Sequence, residues 1–348
     1  MVHYGRLIRT ASRVHIPLSV LFEVTHRCNL GCSHCYLTEG PVGRPKPTRE
    51  ELTLEEIRPV LDQLAEAGTL FLTLSGGEVF MRRDFIKILA HARSRDFSVT
   101  VFTTGTLLTP ETATALADLH PLSVEVSIYS ARPEVHDRVT QIPGSHARSL
   151  RALRLLREHG VIILLKSPVM SLNSGEHHGI VELAEELGAG YGFDPLLIPA
   201  RDGDQAPVRL NLDGDRMRAF LADPVLAREL HQPTKCLPQQ GEEICATGRR
   251  TCLISPYGDV FPCSVHPVPA GNLREQSFHE IWTGSPVLRE LRTKTVDDLR
   301  GGAKPAPGFR CSALALIEDG DFLGPHRRGE ALAQMMDEVR AEVVNGDR

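Results

Sequence analysis

No apolar run approaches the roughly 20 residues that span a bilayer, which excludes a membrane-spanning helix. An excess of positive charge is also missing: 39 lysines and arginines stand against 44 aspartates and glutamates, a net charge of −5. That balance argues against nucleic acid or an anionic membrane as partner, since binders of either carry a basic surface. Arg6, Arg9 and Arg13 precede a short, mostly apolar run from Ile16 to Phe22, but Glu23 follows and no small-residue cleavage site does. A secretory signal is therefore not expected. Cysteine is absent from residues 36 to 235. The eight cysteines fall instead in two groups, Cys28, Cys32 and Cys35, then Cys236, Cys245, Cys252, Cys263 and Cys311. A secreted disulfide protein would more often scatter them. Tight spacing without an export signal reads as metal or redox chemistry in a cytoplasmic protein.

The composition is that of an ordinary globular protein, 41% apolar and 24% charged. A chain of 348 residues suits one large domain with a smaller appendage. From residue 18 to 200, apolar β-rich runs alternate with helical patterns. The strand candidates are Leu18–Val24, Leu70–Ser75, Ser98–Thr103, Leu122–Ile128, Val161–Ser167 and Gly190–Leu196. Between them, 54–67 carries Ile57, Val60, Leu61, Leu64 and Ala65 on one helical face, and 150–159 carries Leu153, Leu155 and Leu156. Thr53 and Thr109 suit helix N-caps, the latter with Pro110 at the first helical position. Such alternation means parallel strands with crossover helices. Six β/α units are two short of a closed barrel. The expected fold class is α/β: a partial (β/α)6 TIM-like barrel whose C-terminal strand ends carry the site, plus a small C-terminal domain.

The expected boundaries follow composition. Residues 1–17 are an N-terminal segment and 18–200 the barrel. The turn-rich PARDGDQAP (199–207) leaves it, and 201–235 is a connecting region, helical from 208. Residues 236–328 are cysteine-bearing and rich in Gly and Pro, with GGAKPAPGF (301–309) an irregular loop. Residues 329–348 end the chain in a helix, with Leu332, Met335, Met336 and Val339 at helical spacing as packing residues.

The segment THRCNLGCSHCYL (25–37) holds Cys-x3-Cys-x2-Cys directly after the first strand, hence on a loop at its C-terminal end. Three thiolates can hold three irons of a [4Fe–4S] cube. The fourth iron then lacks a protein ligand, and an unfinished shell implies a substrate or cofactor in the open position. The alternative is a zinc site with His26 or His34 as fourth ligand, although zinc ligand pairs usually come from two separated knuckles.

This spacing resembles the signature of the radical S-adenosylmethionine (SAM) enzymes, and the six β/α units resemble their partial barrel. The resemblance covers the first 200 residues and continues beyond. It implies that SAM chelates the open iron and is reductively cleaved to methionine and a 5′-deoxyadenosyl radical, which abstracts a substrate hydrogen. It also implies an external electron donor such as a flavodoxin or ferredoxin. The family usually has an aromatic residue before the third cysteine; here it is His34, with Tyr36 just after. LSGGE (74–78) is similar to the element that contacts the SAM amino group, through Gly76 and Gly77 with Glu78 completing it. Paired glycines let a backbone approach a ligand closely. Thr103, Thr104 and Gly105 resemble the third-strand TNG element, with Thr104 in place of Asn. Ser127 resembles the ribose contact. Lys166 is placed to pair with the SAM carboxylate or, equally well, to face solvent. FDPLLIP (193–199), with Leu197, resembles the segment that lies against adenine.

The second group contains Cys245-x6-Cys252-x10-Cys263, with SPYGD between apolar flanks reading as a hairpin turned at Tyr257, Gly258 and Asp259. Such a hairpin sets Cys252 beside Cys263, and Cys311 lies far enough along to return. Four thiolates complete a [4Fe–4S] shell, or a zinc knuckle. Together with AGNLREQSFHEIWTGSPVLRELR (270–292) and LALIEDGDFLGP (314–325), this stretch resembles the SPASM or twitch extension of peptide-modifying radical SAM enzymes. A full SPASM extension uses seven cysteines for two auxiliary clusters. Here GGAKPAPGFR (301–310) replaces its cysteine-rich run and Gly329 its last cysteine, so two [4Fe–4S] clusters in all are implied. Cys236 is left over: an alternative ligand, a buried thiol, or a hydrogen donor such as radical peptide epimerases use.

The function expected is a maturase that abstracts hydrogen from a ribosomally made peptide, giving an epimerised residue or a thioether or carbon–carbon crosslink. About 17 residues precede the first strand, so a separate leader-peptide-binding protein or direct leader binding by the barrel is expected. The alternatives are a dehydrogenase or epimerase of a sugar-like small molecule and a non-catalytic metal-binding scaffold.

Overall fold

The computed structural model describes residues 2–226, 241–301 and 310–346. Cys236 and most of the loop expected at 301–309 lie outside these residues. Six parallel strands run in sequential order: β1 (Ser19–Thr25), β2 (Phe71–Gly76), β3 (Ser98–Thr103), β4 (Ser123–Ser127), β5 (Ile163–Pro168) and β6 (Gly190–Asp194). Each expected strand is present within a few residues of its reading. Alternation sets the two faces. Val20, Phe22, Leu72, Leu74, Val99, Val101, Val124 and Val126 are buried in the main core beneath the helices. Glu23, Thr73, Phe102, Glu125 and Lys166 take the other parity, toward the concave side.

The helices are α1 (Val2–Arg13), α2 (Leu54–Glu66), α3 (Phe85–Ser94), α4 (Pro110–Asp118), α5 (Pro133–Thr140), α6 (Ser145–Glu158) and α7 (His177–Leu187). Thr53 caps α2 in a reciprocal box with Glu56, and Thr109 does the same for α4 with Thr112. Two differences from the sequence reading have physical causes. Between β4 and β5 stand two helices, not one. α5 buries Val135, His136, Val139 and Thr140, too few apolar residues to show a helical stripe. Residues 2–13 form a helix whose anchor is tertiary: Ser12 hydrogen-bonds Glu243, and Arg250 donates to Ser12 at 2.7 Å.

The cysteine-bearing region continues the sheet. β7 (Thr251–Ile254) pairs parallel with β1, Val20 opposite Cys252, and β8 (Asp259–Phe261) returns antiparallel with Leu253 opposite Phe261. β9 (Gly271–Asn272) follows at the edge. The expected hairpin turn is present, with Gly258 at φ +88°. After α8 (Gly214–Leu221) come α9 (Phe278–Gly284), α10 (Pro286–Thr293), α11 (Ser312–Asp319) and α12 (Arg327–Gly346) among the described residues. Leu332, Met336 and Val339 of α12 pack on Met217, Phe220 and Leu221 of α8, which ties the end of the chain to the connecting region. No described helix is long and apolar enough to cross a membrane.

Candidate active site

The loop after β1 is held from three sides. The Cys28 amide donates to the Gly40 carbonyl at 3.3 Å, and the Cys35 amide to the Cys32 carbonyl at 3.1 Å. Gly31 and Ser33 donate to the Thr140 and Val139 carbonyls of α5, both at 3.0 Å. Cys28, Cys32 and Cys35 are all free thiols. Burial raises each pKa, that of Cys32 to about 12. Cys28 is raised further by the charges of Glu78, Cys32 and Cys35, so the three sulfurs lie within electrostatic reach of one another. Converging buried thiols resist ionisation in the bare protein, and coordination to metal removes that penalty. This donor set fits a [4Fe–4S] cluster with three protein ligands.

β2 delivers the glycines against this loop. Gly76 has φ +138°, and the Gly77 amide donates to the Thr25 carbonyl at 2.8 Å. A Cβ on Gly77 would collide with the carbonyls of His26 and Arg27, 2.6 Å from the former. Gly77→Ala is therefore expected to destabilise the protein by at least about 2 kcal/mol, as overpacking does. Its lower urea midpoint and lower iron retention would be read beside wild type. The Glu78 carboxylate is fully buried and accepts from Thr103 Oγ1 at 2.7 Å, the Thr104 amide at 2.7 Å, Thr104 Oγ1 and the Phe80 amide at 3.1 Å. It ties the end of β2 to the end of β3. Thr104 Oγ1 continues to Thr106 at 2.8 Å, and Asn29 of the cysteine loop donates to Thr106 at 2.9 Å.

Of the other predicted residues, Ser127 and Lys166 sit side by side in the β4–β5 register. Lys166 Nζ lies 3.4 Å from Glu125 and 4.0 Å above the Phe102 ring. Leu197 is buried with Tyr129, Val139 and Met170, and Cys32 packs against that cluster. Thus the structure gathers Gly76, Gly77, Glu78 and Thr104 at the loop and Leu197 beside Cys32. Lys166 is engaged with its own neighbours.

Sequence reasoning missed a buried ion pair beside the triad. Glu23 is fully buried and accepts two hydrogen bonds from Arg201, both at 2.7 Å, one from Tyr36 at 2.6 Å and one involving His26 at 3.0 Å. Burial pushes the Glu23 carboxyl up, but Arg201, His26 and Tyr36 together hold it down at about 2. The signal was present: a glutamate inside the apolar run VLFEVT requires a partner. Tyr257 from the hairpin turn donates to Glu39 at 2.5 Å, and its ring meets His26 edge-on at 5.1 Å. The hairpin is thereby seated on the cysteine loop.

In the second group, Cys311 feels the charges of Cys263 and Cys245, so these three thiols share one neighbourhood. Cys252 lies on the opposite face of its strand from Leu253, buried in the main core, with Arg292 as its charged neighbour. Burial raises its pKa to about 12. A cavity of about 120 Å³ lies between the two groups, lined by Tyr36, Arg201, Leu253, Phe261, Cys263 and His266 among others. Among the described residues, the one constellation with the spacing of a single-ion site is elsewhere, at His177, His178 and Asp223. There both imidazoles hydrogen-bond one carboxylate oxygen, at 3.0 and 2.8 Å.

The sequence profile of the Radical SAM superfamily matches residues 22–184, and that of the SPASM iron-sulfur cluster-binding domain matches 245–307. The AdoMet-dependent heme synthase of Methanosarcina barkeri is 32% identical over 337 residues, covering 88% of this chain and 94% of that protein. The chain belongs to the radical SAM superfamily. It therefore takes [4Fe–4S] clusters and S-adenosylmethionine as cofactors. The mycofactocin maturase MftC of Mycobacterium tuberculosis is 29% identical over 330 residues, covering 87% of this chain and 83% of that protein. The crystal structure of Streptococcus suis SuiB bound to its precursor peptide SuiA shares the fold, with a TM-score of 0.63 at 16% identity over 84% of this chain and 70% of that one.

Proposed function

We propose that this radical SAM enzyme is a cytoplasmic maturase that removes a hydrogen atom from a ribosomally made peptide. Cys28, Cys32 and Cys35 would hold the cluster that binds SAM; Cys245, Cys263 and Cys311 would hold an auxiliary one, whereas Cys252, expected as its fourth ligand, is turned into the core on the other face of β7. Bound there, the first cluster and SAM supply the 5′-deoxyadenosyl radical. The chain's own residues shape the site around them. Gly76 and Gly77 offer backbone without side-chain bulk. Glu78 positions that backbone by anchoring it to Thr103 and Thr104. Ser127 and Lys166 face the ribose and carboxylate, and Leu197 the adenine. Arg201 and Glu23 brace the wall between the two cysteine groups.

The observation that carries the peptide reading is the SPASM match at residues 245–307 behind the radical SAM match at 22–184. The likeness to MftC across 83% of its length supports the same reading. A second reading, synthesis of heme from a precursor, rests on the 32% identity to the Methanosarcina barkeri enzyme across 94% of its length. Anaerobic assay with any short peptide found encoded beside the gene and with heme precursors separates the two. A mass change in the peptide supports the maturase, and formation of heme with an unchanged peptide refutes it.

The reconstituted enzyme is expected to hold about eight irons, two [4Fe–4S] units, Cys263→Ala about four, and Cys252→Ala the full eight. Loss of half the iron in Cys252→Ala would return Cys252 to the ligand set, and zinc in place of half the iron would make the second site a zinc knuckle. For Cys236 the proposed role is delivery of a hydrogen atom to the substrate radical. Cys236→Ala should then keep its iron and still form 5′-deoxyadenosine but fail to give the normal product. In deuterated water the wild-type product should carry one deuterium. Normal product without deuterium makes Cys236 a bystander.

A further inference from the structure

Of the three buried thiols that converge after β1, one has a hydrogen-bond donor from the side chain of another strand. Leu30 donates its amide to Cys28 Sγ at 3.4 Å, and the Leu37 amide reaches Cys35. Both donors belong to the loop's own backbone. Cys32 has its own amide and, from just beyond the end of β4, the Tyr129 hydroxyl at 3.8 Å from its Sγ, a reach that the large radius of sulfur allows. We infer that Tyr129 acts through Cys32 as a positioning residue of the first cluster: its hydroxyl donates to the Cys32 thiolate and makes the cluster easier to reduce. The inference rests on the assignment of Cys28, Cys32 and Cys35 to that cluster and not on the identity of the substrate.

The surroundings show what the hydroxyl is for. Glu125 and Ser127 take the concave side of the sheet, and Tyr129 keeps that parity two residues further on. It is buried with Val139, Met170 and Leu197, an apolar setting in which phenylalanine would fill the same space. A buried hydroxyl is costly there unless it is bonded. Among the described residues the phenol oxygen has two partners, Cys32 and Ser127. A phenol ordinarily titrates near about 10, and burial pushes this one higher, so at neutral pH it keeps its proton. A metal-bound thiolate carries no proton, so between Tyr129 and Cys32 only the phenol can donate. Ser127 can donate to the same oxygen and so complete its hydrogen bonding.

The donor is also held in place. The Tyr129 amide donates to His136 Nδ1 at 3.3 Å, and its carbonyl accepts from Asn173 at 3.1 Å. Its ring meets that of His34 edge-on at 5.0 Å and lies 5.3 Å from that of His136. Val139 packs in the same cluster, and its carbonyl accepts from the Ser33 amide of the cysteine loop at 3.0 Å. Phenol and thiol thus share one frame, and a donor already aimed at a charge needs no reorganisation to act on it. Reduction adds one negative charge to the cluster, and part of that charge falls on the sulfurs. A hydrogen bond to a sulfur therefore stabilises the reduced state more than the oxidised one and raises the potential. Cys28 and Cys35 take their donors from the backbone, which every substitution keeps. At Cys32 the donor is a single hydroxyl that one substitution removes.

The test is an anaerobic redox titration of the reconstituted full-length enzyme, followed by electron paramagnetic resonance. The first cluster is the one whose signal changes when SAM is added, and the auxiliary cluster serves as internal control. Tyr129→Phe keeps the ring and removes the donor. At a fixed potential its ratio of reduced to oxidised first cluster is expected to fall about tenfold, a shift of about 59 mV to more negative values for a one-electron couple. Iron content and the potential of the auxiliary cluster should stay as in wild type. An unchanged potential of the first cluster in Tyr129→Phe overturns the inference. So does an equal shift of both clusters, which would trace the effect to the fold. Should Tyr129→Phe retain no iron, fluorotyrosine in place of Tyr129 decides the matter: its more acidic hydroxyl donates more strongly, so the ratio should rise, and no rise overturns the inference. A wild type in which SAM changes no cluster signal overturns the assignment of the triad and this inference with it.

Discussion

Replacing Cys28, Cys32 and Cys35 together with alanine is expected to abolish 5′-deoxyadenosine formation and leave about four irons per chain, the content of one remaining [4Fe–4S] unit. The reasoning is electrostatic as much as chemical. Burial raises the pKa of each thiol, and the charges of Glu78 and of the other two thiols raise that of Cys28 further. Three such groups are tolerated within one loop because metal coordination neutralises them. The loop's own hydrogen bonds to Gly40, Thr140 and Val139 use backbone atoms, so the alanine variant keeps them and should fold. Iron analysis and chromatography of the SAM cleavage products read the two effects separately. Persistent SAM cleavage in the triple variant would refute the assignment of this loop.

The second large effect is expected from Glu23. Its carboxylate is buried and holds Arg201, Tyr36 and His26, so Glu23→Leu strands a guanidinium and a phenol without their acceptor. Breaking a buried pair from one side costs about 3–5 kcal/mol. Tyr36 adjoins Cys35, and the Arg201 amide donates to the Tyr36 carbonyl at 3.0 Å, so iron retention should fall as well. The pH dependence has a definite sign. The Glu23 carboxyl titrates at about 2 in the folded protein against 4.5 as its ordinary value. A depressed folded pKa contributes stability that is fully present above pH 4.5 and lost as pH falls toward 2. That contribution is on the order of 3 kcal/mol at neutral pH. Urea unfolding of wild type and Glu23→Gln should show a wide gap at pH 7 that narrows as pH falls below 4.5. A gap independent of pH would show that packing, and not charge, carries the effect.

The order of strands and helices in residues 18–200 was legible because strands with one face in the core alternate in period two, as in SVTVFT and SVEVS, while the helices between them repeat at 3.6. The triad and its glycines were legible too, since ligands on one loop and paired glycines after a strand are local in sequence. α5 was not, because its buried face includes His136 and Thr140 and shows no apolar stripe. The three-dimensional arrangement decided what depends on distant partners. Glu23 and Arg201 are 178 residues apart, and only the fold makes them a pair. Cys252 was expected beside Cys263 because a hairpin brings them close. The register of β7 against β1 turns its side chain with Val20 into the core, and a single residue's parity cannot be read without knowing the neighbouring strand. The sheet likewise absorbs the cysteine-bearing hairpin through hydrogen bonds from β1 to β7. Backbone pairing between segments more than 200 residues apart leaves no periodic mark on either sequence, so that junction exists only at the tertiary level.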